Sequence, residues 1–263
     1  MPTRAMWKAV VELGSLRIPV KLYAAVEDRG IHFRLLHGKD GVPVEQRMVH
    51  PVTGAVVGNE DVKKGVEIRP GVFSLVTDEE VETLRPEASR TIEVTQVVSR
   101  DAVPDRWYDR PYFVGPDGDA DDTYFALASH LRENELQGIA HWVMRAKSYF
   151  GSLHAVGDHL GLVTLRSRDE VITPARLTAP EGRALSKKEV QMAEELVALL
   201  EDDFRPGDFR NEHRDRLREL IEARASGSKF SISKLRSKKP TDDLSEALSR
   251  SRAAASKERK RAS

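Results

Sequence analysis

The stretch from Gly138 to Val171, GIAHWVMRAKSYFGSLHAVGDHLGLVTLRSRDEV, contains three short segments that read as strands. Alternation of side chains with a period of two is typical of β-strands, whose successive residues point to opposite faces. The segments run from Ile139 to Lys147, from Tyr149 to Val156 and from Leu160 to Leu165, and Gly157-Asp158-His159 separates the last two. Short turns between such segments predict an antiparallel meander that must pack on, or close with, further strands.

Arg145 interrupts one face of the first segment, because it falls in register with the apolar residues Ile139 and Val143. A charged side chain on such a face needs a partner, since burying an unpaired charge is costly. The partner is either a carboxylate at the edge of the core or an anion bound from outside. The pattern of this segment alone leaves both open.

The remainder of the chain predicts further strands and four helices. Strands are predicted at 6–11, 18–26, 72–76 and 91–98, and the stretch 107–114 is aromatic and punctuated by proline. Pro19 places the second of these at a sheet edge or at a strand entry, because proline cannot donate a ladder hydrogen bond. Helices are predicted at 78–84, 121–133, 187–203 and 211–224, two of them after the capping boxes that begin at Thr77 and Ser186.

Composition limits the kinds of function that the chain can have. Its 263 residues suffice for one large β domain or two smaller ones. The absence of cysteine excludes disulfides, thiolate metal sites and a cysteine nucleophile. Charged residues make up 32% of the chain, and no apolar run approaches the roughly 18 residues of a membrane span. We therefore expect a cytoplasmic protein without membrane contact.

The formal net charge of zero hides an uneven distribution of charge. Residues 229–263, here called the tail, carry eleven Lys or Arg and four Asp or Glu, whereas the first 228 residues carry 31 basic and 38 acidic ones. An acidic body with a basic tail indicates a protein that binds a polyanion. The alternative is a tail that only keeps the body soluble. Its Ser, Lys, Arg and Ala composition cannot build a core, so we expect disorder beyond Gly227.

The sequence contains no recognisable catalytic or metal site. His32 and His37 are five residues apart, as are His154 and His159, whereas two ligands on one helix face are four apart. The acidic run 117–122 resembles the start of a calcium loop but lacks the required glycine and glutamate. Phosphate-binding glycine loops and nucleophile motifs are missing as well. We expect no enzymatic activity, no metal and no cofactor.

Basic residues spread along extended segments favour binding to the backbone of a nucleic-acid duplex. These segments contain no recognition helix and no aromatic ladder for stacking bases, so positive charge is their main binding feature. The candidates in the first 70 residues are Lys8, Lys21, Arg34, Lys39, Arg47, Lys63, Lys64 and Arg69. The candidates in the tail form two clusters, Lys234, Arg236, Lys238 and Lys239, and Lys257, Arg259, Lys260 and Arg261.

Two motifs of the sequence are distinctive, Ile18-Pro19-Val20-Lys21-Leu22-Tyr23 and Tyr108-Asp109-Arg110-Pro111-Tyr112-Phe113. They resemble prokaryotic Ku, a family of bacterial proteins that bind DNA ends. The helical run from Ala193 to Ala223 extends the similarity, which covers roughly residues 4–226. Two departures stand out. Some relatives have cysteines near 50–54, which are absent here and exclude a zinc knuckle, and Val66 replaces a common aromatic residue.

The resemblance implies a mainly β fold with added helices. It implies a Ku-type β-barrel, an extended excursion that forms a ring with that of a second subunit, and a C-terminal helical arm. We expect the barrel core at 1–180, with the ring strap at about 31–70, the helical arm for dimerisation and partner contact at 181–226, and the disordered basic tail at 227–263. By the same resemblance we expect Lys21 and Arg145 to point toward the DNA. We also expect Lys147 to contact the DNA.

The resemblance also implies the function. A homodimeric ring would bind double-stranded DNA ends without sequence specificity in non-homologous end joining, the repair of double-strand breaks. It would recruit or stimulate an ATP-dependent multidomain DNA ligase and catalyse nothing itself. We hypothesise that the helix after Ser186 contributes an apolar stripe to the subunit interface. This stripe consists of Val190, Ala193, Val197, Leu200 and Phe204.

Two other functions stay open on the sequence. A sequence-specific DNA-binding regulator could use the C-terminal helices, 186–224, as a helix-turn-helix, although the acidic Glu212 stands where a reading helix has Arg or Asn. An enzyme could use an unrecognised carboxylate site in the barrel. Competition between linear and closed circular DNA separates the regulator from a Ku protein, and turnover of a DNA substrate would support the enzyme.

Overall fold

The computed structural model describes residues 4–118, 121–172, 184 and 186–227. Contacts within the chain define two compact units, Met1–Arg176 and Leu177–Ser263. The predicted boundary between residues 180 and 181 and the whole tail lie outside the described residues. The strands are β1 (Trp7–Leu13), β2 (Leu16–Ala24), β3 (Lys64–Arg69), β4 (Val72–Val76), β5 (Thr91–Ser99), β6 (Tyr108–Pro116), β7 (Leu136–Met144), β8 (Lys147–Val156) and β9 (His159–Leu165). The helices are α1 (Asp78–Thr83), α2 (Asp121–Glu133), α3 (Lys187–Leu200) and α4 (Glu212–Ala225).

Seven strands of the first unit form a closed barrel in the order β1-β2-β6-β9-β8-β7-β5. The predicted meander is confirmed, because β7, β8 and β9 are antiparallel neighbours. A parallel pairing of β1 with β5 closes the barrel. The sequence pattern does not predict that pairing, since parallel partners are far apart along the chain. The expected class, a mainly β barrel with added helices, is confirmed.

The sequence places the strand of Pro19 at a sheet edge or at a strand entry, and the structure excludes the sheet edge. Strand β2 pairs with β1 on one side and with β6 on the other. Pro19 lies opposite Val10 of β1, and the pairing with β6 begins only at the next residue, Val20. The barrel therefore accommodates the proline at the point where the second pairing starts.

Alternation along the strands separates the barrel core from its outer surface. In β2, Ile18, Val20 and Leu22 are at most 1% exposed, and Lys21 between them faces outward. Burial of each such aliphatic side chain contributes about 1.5–3 kcal/mol. Trp142 of β7 is 1% exposed and stacks on Tyr149 of β8, with ring centroids 5.6 Å apart. The core therefore lies inside the barrel, and the charged residues lie on its surface.

Helix α2 packs against one end of the barrel. Its apolar side chains Tyr124, Ala128 and Leu131 join the same core as the inward-facing strand residues. The Tyr124 hydroxyl donates a hydrogen bond to the carbonyl oxygen of Val114 and accepts one from the amide of Leu160 at 2.8 Å. The helix thus connects β6 with β9 and covers this end of the core.

Residues 25–90, between β2 and β5, form an excursion that contributes no strand to the barrel and contains no buried residue. Its ordered parts are the two-stranded sheet of β3 and β4, the short helix α1 and two isolated bridges. The predicted capping box of α1 is confirmed: the Thr77 amide donates to Glu80 Oε2 at 2.8 Å, and the Glu80 amide donates to Thr77 Oγ1 at 3.2 Å. The excursion therefore holds its shape through local hydrogen bonds without a core of its own.

The second unit contains α3 and α4. The predicted capping box at Ser186 is confirmed, because the Ser186 amide bonds Glu189 Oε2 at 2.8 Å and the Ser186 hydroxyl accepts from the Glu189 amide at 3.3 Å. Helix α3 ends at Leu200, three residues before the predicted end. The side-chain oxygen of Asn211 caps α4 by accepting from the amide of Arg214 at 3.0 Å.

A group of polar residues is buried on the outer face of β7 and β8. Gln137 is fully buried and accepts a hydrogen bond from the Tyr108 hydroxyl at 2.8 Å. Its amide nitrogen donates to the carbonyl oxygens of Ser99 and Arg100, so the chain after β5 covers this face. His154 lies opposite Gln137 and is 6% exposed. Burial, followed by the nearby Arg100 charge, lowers the pKa of His154 to about 4.

We expect the stability of the barrel to fall as the pH falls from about 6.5 toward about 4. Unfolded histidine titrates near 6.5, so in this interval the unfolded chain binds a proton that folded His154 does not. The loss should approach about 1.4 kcal/mol per pH unit. His154→Gln should remove this part of the pH dependence in urea unfolding, and His159→Gln, at an exposed position, should retain it. A His154→Gln profile parallel to that of the wild type would contradict the assignment.

Candidate nucleic-acid interface

Lys8 and Lys21 lie opposite each other on β1 and β2, and both side chains leave the barrel outward. Their ammonium groups converge on one carboxylate: Lys8 Nζ is 2.9 Å from Asp117 Oδ2, and Lys21 Nζ is 2.6 Å from Asp117 Oδ1. The hydrogen bonds from Lys21 and Lys8 lower the pKa of Asp117, and the bond to Asp117 raises the pKa of Lys21. Both shifts favour the charged forms of Asp117 and Lys21.

The expectation that Arg145 belongs to a strand is wrong. Strand β7 ends at Met144, and Arg145 and Ala146 form the two-residue turn before Lys147 begins β8. Both turn residues have positive φ, 53° at Arg145 and 59° at Ala146. Arg145 therefore does not share a face with Val143, and its exposed side chain lies at the tip of the hairpin. Arg145 forms no ion pair with a carboxylate of the described residues. Of the two partners considered for Arg145, a carboxylate at the edge of the core is therefore excluded in this part of the chain.

The turn geometry carries a cost that a glycine would remove. A positive φ at both central residues is the feature of a type I′ hairpin turn, which favours Asn-Gly. A residue with a Cβ atom loses about 1–2 kcal/mol in this region, although glycine returns part of that through the entropy of the unfolded chain. Arg145 and Ala146 therefore adopt the backbone conformation that the turn requires, although residues with a Cβ atom disfavour it.

We expect Ala146→Gly to stabilise the barrel by about 0.5–1 kcal/mol, because glycine adopts a positive φ without the steric cost of a Cβ atom. The substitution leaves the Arg145 charge in place. Urea unfolding measures the change. Ala88→Gly serves as the control, since Ala88 is exposed and has no positive φ, and it should bring no gain. A destabilised Ala146→Gly protein would show that the turn is not strained.

Arg110 of β6 joins Arg145 at the same end of the barrel. Burial raises the pKa of Tyr112, and the charges of Arg110 and Arg145 act on the same hydroxyl in the opposite direction. Lys147 follows the hairpin turn directly. Arg110, Arg145 and Lys147, here called the end cluster, are all exposed. The sequence pattern did not distinguish Arg110, although it lies within one of the two most specific motifs.

The end cluster lies where the excursion leaves the barrel. Ala24, the last residue of β2, pairs with Tyr112 of β6, and the excursion begins at the next residue. Helix α2 follows the opposite end of β6. The register therefore places the free cations of the barrel beside the excursion, while the Lys8–Lys21 pair lies on the outer wall.

The excursion carries six of the predicted contact residues, all of them exposed. Lys64 Nζ lies 2.5 Å from Asp78 Oδ1 and lowers the pKa of that carboxyl. Lys63 Nζ donates to the carbonyl oxygen of Glu60 at 2.8 Å. Exposed ion pairs contribute at most about 1 kcal/mol, so a stronger anion can displace them. The other four are Arg34, Lys39, Arg47 and Arg69.

Large apolar side chains also lie exposed along the excursion. Contiguous exposed apolar surface marks interaction sites, and an isolated two-stranded sheet such as β3–β4 is marginally stable on its own. The most exposed examples are Phe33, Leu35, Met48, Val52, Ile68, Phe73, Leu75 and Leu84, each at least 61% exposed. The excursion therefore has the surface composition of a segment that packs against another chain.

The predicted interface stripe on α3 and beyond is exposed within the chain. Val190, Val197, Leu200 and Phe204 are 40%, 67%, 64% and 75% exposed. Phe204 packs against Phe209, with ring centroids 5.2 Å apart. The stripe is therefore free to meet a partner, and the role of its residues in a dimer stays a prediction.

Two further sets of predictions concern absent features and the tail. Within the described residues, no group of three or more His, Asp or Glu side chains is arranged to hold a metal ion. None of the described helices is long and apolar enough to span a membrane. The eight candidate residues of the tail lie outside the described residues.

Comparison with known proteins identifies the family. The model of the Ku70/Ku80 beta-barrel domain matches residues 12–194. A protein of Geotalea uraniireducens named non-homologous end joining protein Ku 2 is 37% identical over 248 residues, which cover 94% of this chain and 96% of that protein. The non-homologous end joining protein Ku of Mycolicibacterium smegmatis is 31% identical over 254 residues, or 94% of this chain and 80% of that protein.

A third relative extends the similarity beyond bacteria. The non-homologous end joining protein Ku of Archaeoglobus fulgidus is 29% identical over 231 residues, which cover 88% of this chain and 91% of that protein. The matched region includes most of the barrel and the whole excursion, and the barrel is the fold that the family description names. With a family model that matches most of the chain and relatives that are more than 30% identical over nearly all of it, the chain belongs to the Ku family.

Proposed function

We propose that this protein forms a homodimeric ring that binds the ends of double-stranded DNA without sequence specificity in non-homologous end joining. The observation that carries the proposal is the excursion of residues 25–90, which presents exposed lysines and arginines beside exposed apolar side chains and lies outside the barrel core. It occurs in a chain whose relatives are named non-homologous end joining protein Ku. A segment of this composition suits contact with a second subunit and with phosphates.

Backbone contacts explain why such a ring would accept any sequence. The candidate cations lie on strands, turns and extended segments, from which lysine and arginine reach phosphate oxygens but do not read base edges. A closed ring can be loaded only at a free terminus of the duplex. Preference for ends then follows from topology, and no catalytic group is required.

A second copy of the same chain is the partner that best covers the exposed apolar residues. Symmetric homodimers are the commonest oligomers, and their interfaces are self-complementary. Here the excursion and the α3 stripe both present apolar side chains such as Phe73 and Leu200, and neither is covered within its own unit. Contact with a second copy would bury the apolar residues of the excursion, and contact with a second copy would likewise bury the α3 stripe.

We extend the proposal to recruitment of an ATP-dependent multidomain DNA ligase, because joining of ends must finish with ligation. The names of the relatives specify end joining, and the ligase is the added part of this proposal. Ligation of linear duplex by such a ligase should be faster with the protein than without it. Equal rates across a range of protein concentrations would remove the ligase from the proposal and leave end binding intact.

The experiment that tests end binding is a gel shift with linear, nicked and closed circular duplex of the same sequence at controlled salt. The ring should bind linear duplex, and linear duplex should compete far better than either circular form. Equal competition by closed circular duplex would show that threading is not required. Competition limited to one sequence would instead support a regulator.

The structure provides an argument against the regulator. A helix-turn-helix joins its two helices by a turn of three or four residues. Helices α3 and α4 are separated by the eleven residues Glu201–Asn211. The first turn of α4 also contains Glu212 and Asp215, whose negative charges repel the phosphates that border the major groove. A recognition helix must lie in that groove.

The end cluster provides a quantitative prediction. Arg145→Ala/Lys147→Ala should weaken binding to every sequence alike, since phosphate contacts carry no sequence information. It should lower the slope of log K against log salt by about 0.9 for each phosphate that is no longer neutralised, or about 1.8 for both. The matched control is Arg17→Ala/Arg132→Ala, whose arginines already pair with Glu12 and Asp158 near the α2 end. Equal slopes for both double variants would place the end cluster away from the DNA.

A further inference from the structure

Asp117 holds the two outward lysines of the barrel wall together. Each of its carboxylate oxygens accepts from one ammonium group, at 2.9 Å from Lys8 and 2.6 Å from Lys21. Among the described residues, no other carboxylate forms an ion pair with either lysine. The backbone of Asp117 is anchored to the barrel, because its amide donates to the carbonyl oxygen of Pro19 at 3.0 Å.

The geometry of this triad matches what a phosphate group would require. Two ammonium groups that converge on the two oxygens of one carboxylate can equally converge on two non-bridging oxygens of one phosphate. The lysines lie opposite each other on paired strands, so the spacing of their backbones is constant. Asp117 is 24% exposed at its side chain and Lys8 is 61% exposed, so solvent and a DNA backbone can reach the triad.

The charge balance of the triad determines how it responds to DNA. Two lysines and one aspartate have a net charge of about +1, half of what the lysines would contribute alone. The electrostatic part of DNA affinity grows with the number of cations free to neutralise phosphates. While Asp117 is paired with Lys8 and Lys21, at least one of the two lysines is not free to neutralise a phosphate. A phosphate must displace the Asp117 carboxylate before both lysines can contribute.

We propose that Asp117 is an internal competitor for DNA phosphate at Lys8 and Lys21, and that it sets the affinity of the barrel wall below what its lysines would otherwise provide. This regulation rests on the proposed function, because it acts on the same binding of duplex. The competing role differs from a purely supporting one. If Asp117 only aimed the lysines at the DNA, its loss would weaken binding, whereas loss of a competitor strengthens it.

Asp117→Asn tests the proposal with the full chain and a short blunt-ended duplex across a salt series. The variant retains a side chain of the same shape and loses the charge. The slope of log K against log salt should steepen by about 0.9 for each released lysine, up to about 1.8. If the plots of log K against log salt for the wild type and for Asp117→Asn converge near 1 M salt, the variant should bind up to roughly 60-fold more tightly at about 0.1 M salt. An unchanged or weaker affinity would overturn the proposal.

Three controls separate competition from other effects. Asp158→Asn adds the same charge at the pair with Arg132 near α2, and an equal gain there would show a general charge effect and refute the proposal. Lys8→Ala/Lys21→Ala in the Asp117→Asn background should abolish the gain. Asp117→Ser repeats the test without an amide. If the Asp117→Asn protein fails to fold, the salt series with Asp117→Ser decides between competition and support.

The same measurements keep the proposed function separate. Wild-type protein and variants are each assayed with linear and closed circular duplex. Loss of the preference for ends in the wild type would refute the ring, whereas the comparison of salt slopes would still decide the role of Asp117. A wild-type preference for ends with identical slopes for wild type and Asp117→Asn would refute the competitor alone.

Discussion

Leu200→Asp should convert the proposed dimer into monomers. Leu200 lies at the end of α3 and is 64% exposed within the chain. Burial of a leucine contributes about 1.5–3 kcal/mol, and a two-fold interface contains the residue twice. The variant therefore loses about 3–6 kcal/mol of association free energy, or roughly 10²–10⁴-fold in the dimer Kd. Light scattering over a range of protein concentrations measures the change.

Gln191→Asp is the matched control for this variant. Gln191 is exposed on the opposite side of α3, so it receives the same charge without touching the apolar stripe. It should remain dimeric, and circular dichroism should show equal helix content in both variants. A soluble Leu200→Asp protein that stays dimeric at low concentration would place the subunit interface elsewhere. The apolar surface of the excursion around Phe73 would then be the next surface to test.

Truncation after Gly227 should lower the affinity for linear duplex by roughly 10²–10⁴-fold, because the tail acts as a second binding module at high effective concentration. Its eleven Lys and Arg outnumber its four Asp and Glu. The slope of log K against log salt should fall by about 0.9 for every phosphate that the tail neutralises in the full-length protein. The preference for ends should remain, since it follows from the ring. A salt series on linear and closed circular duplex measures both quantities.

A full-length variant with glutamine in place of the eleven tail Lys and Arg distinguishes charge from length. It should lose affinity as the truncation does. Unchanged affinity and slope in both variants, with only solubility altered, would establish the tail as a solubilising segment. A loss of affinity in the truncation alone would indicate that the tail binds through groups other than its charges.

Local patterns predicted most of the secondary structure because each depends on residues close in the chain. The strand at 72–76 matches β4, and the helix at 121–133 matches α2. The capping boxes at Thr77 and Ser186 form as expected, since a capping box involves only four consecutive residues. The error at Arg145 has the same origin. Alternation continues through a two-residue turn, and nothing local to the sequence marks a positive φ at Arg and Ala.

The candidate interface was only partly accessible from the sequence. Counting cations found Lys8 and Lys21, the resemblance added Arg145 and Lys147, and a specific motif contained Arg110. Whether these cations are free depends on distant residues. Asp117 lies almost a hundred residues beyond Lys21 in the chain, and the pairing of β2 with β6 brings the two together. A charge count therefore overestimated the positive surface of the barrel wall.

The sequence by itself determined the four helices and most of the strands, the division into an acidic body and a basic tail, and the membership of the Ku family. Each of these follows from neighbouring residues, composition or motifs. Only the tertiary structure decided that β1 closes the barrel on β5, that Arg145 occupies the tip of a hairpin, and that Asp117 holds two lysines. The physical reason is common to all three: pairing between strands far apart in the chain sets which groups meet, and local periodicity contains no record of it.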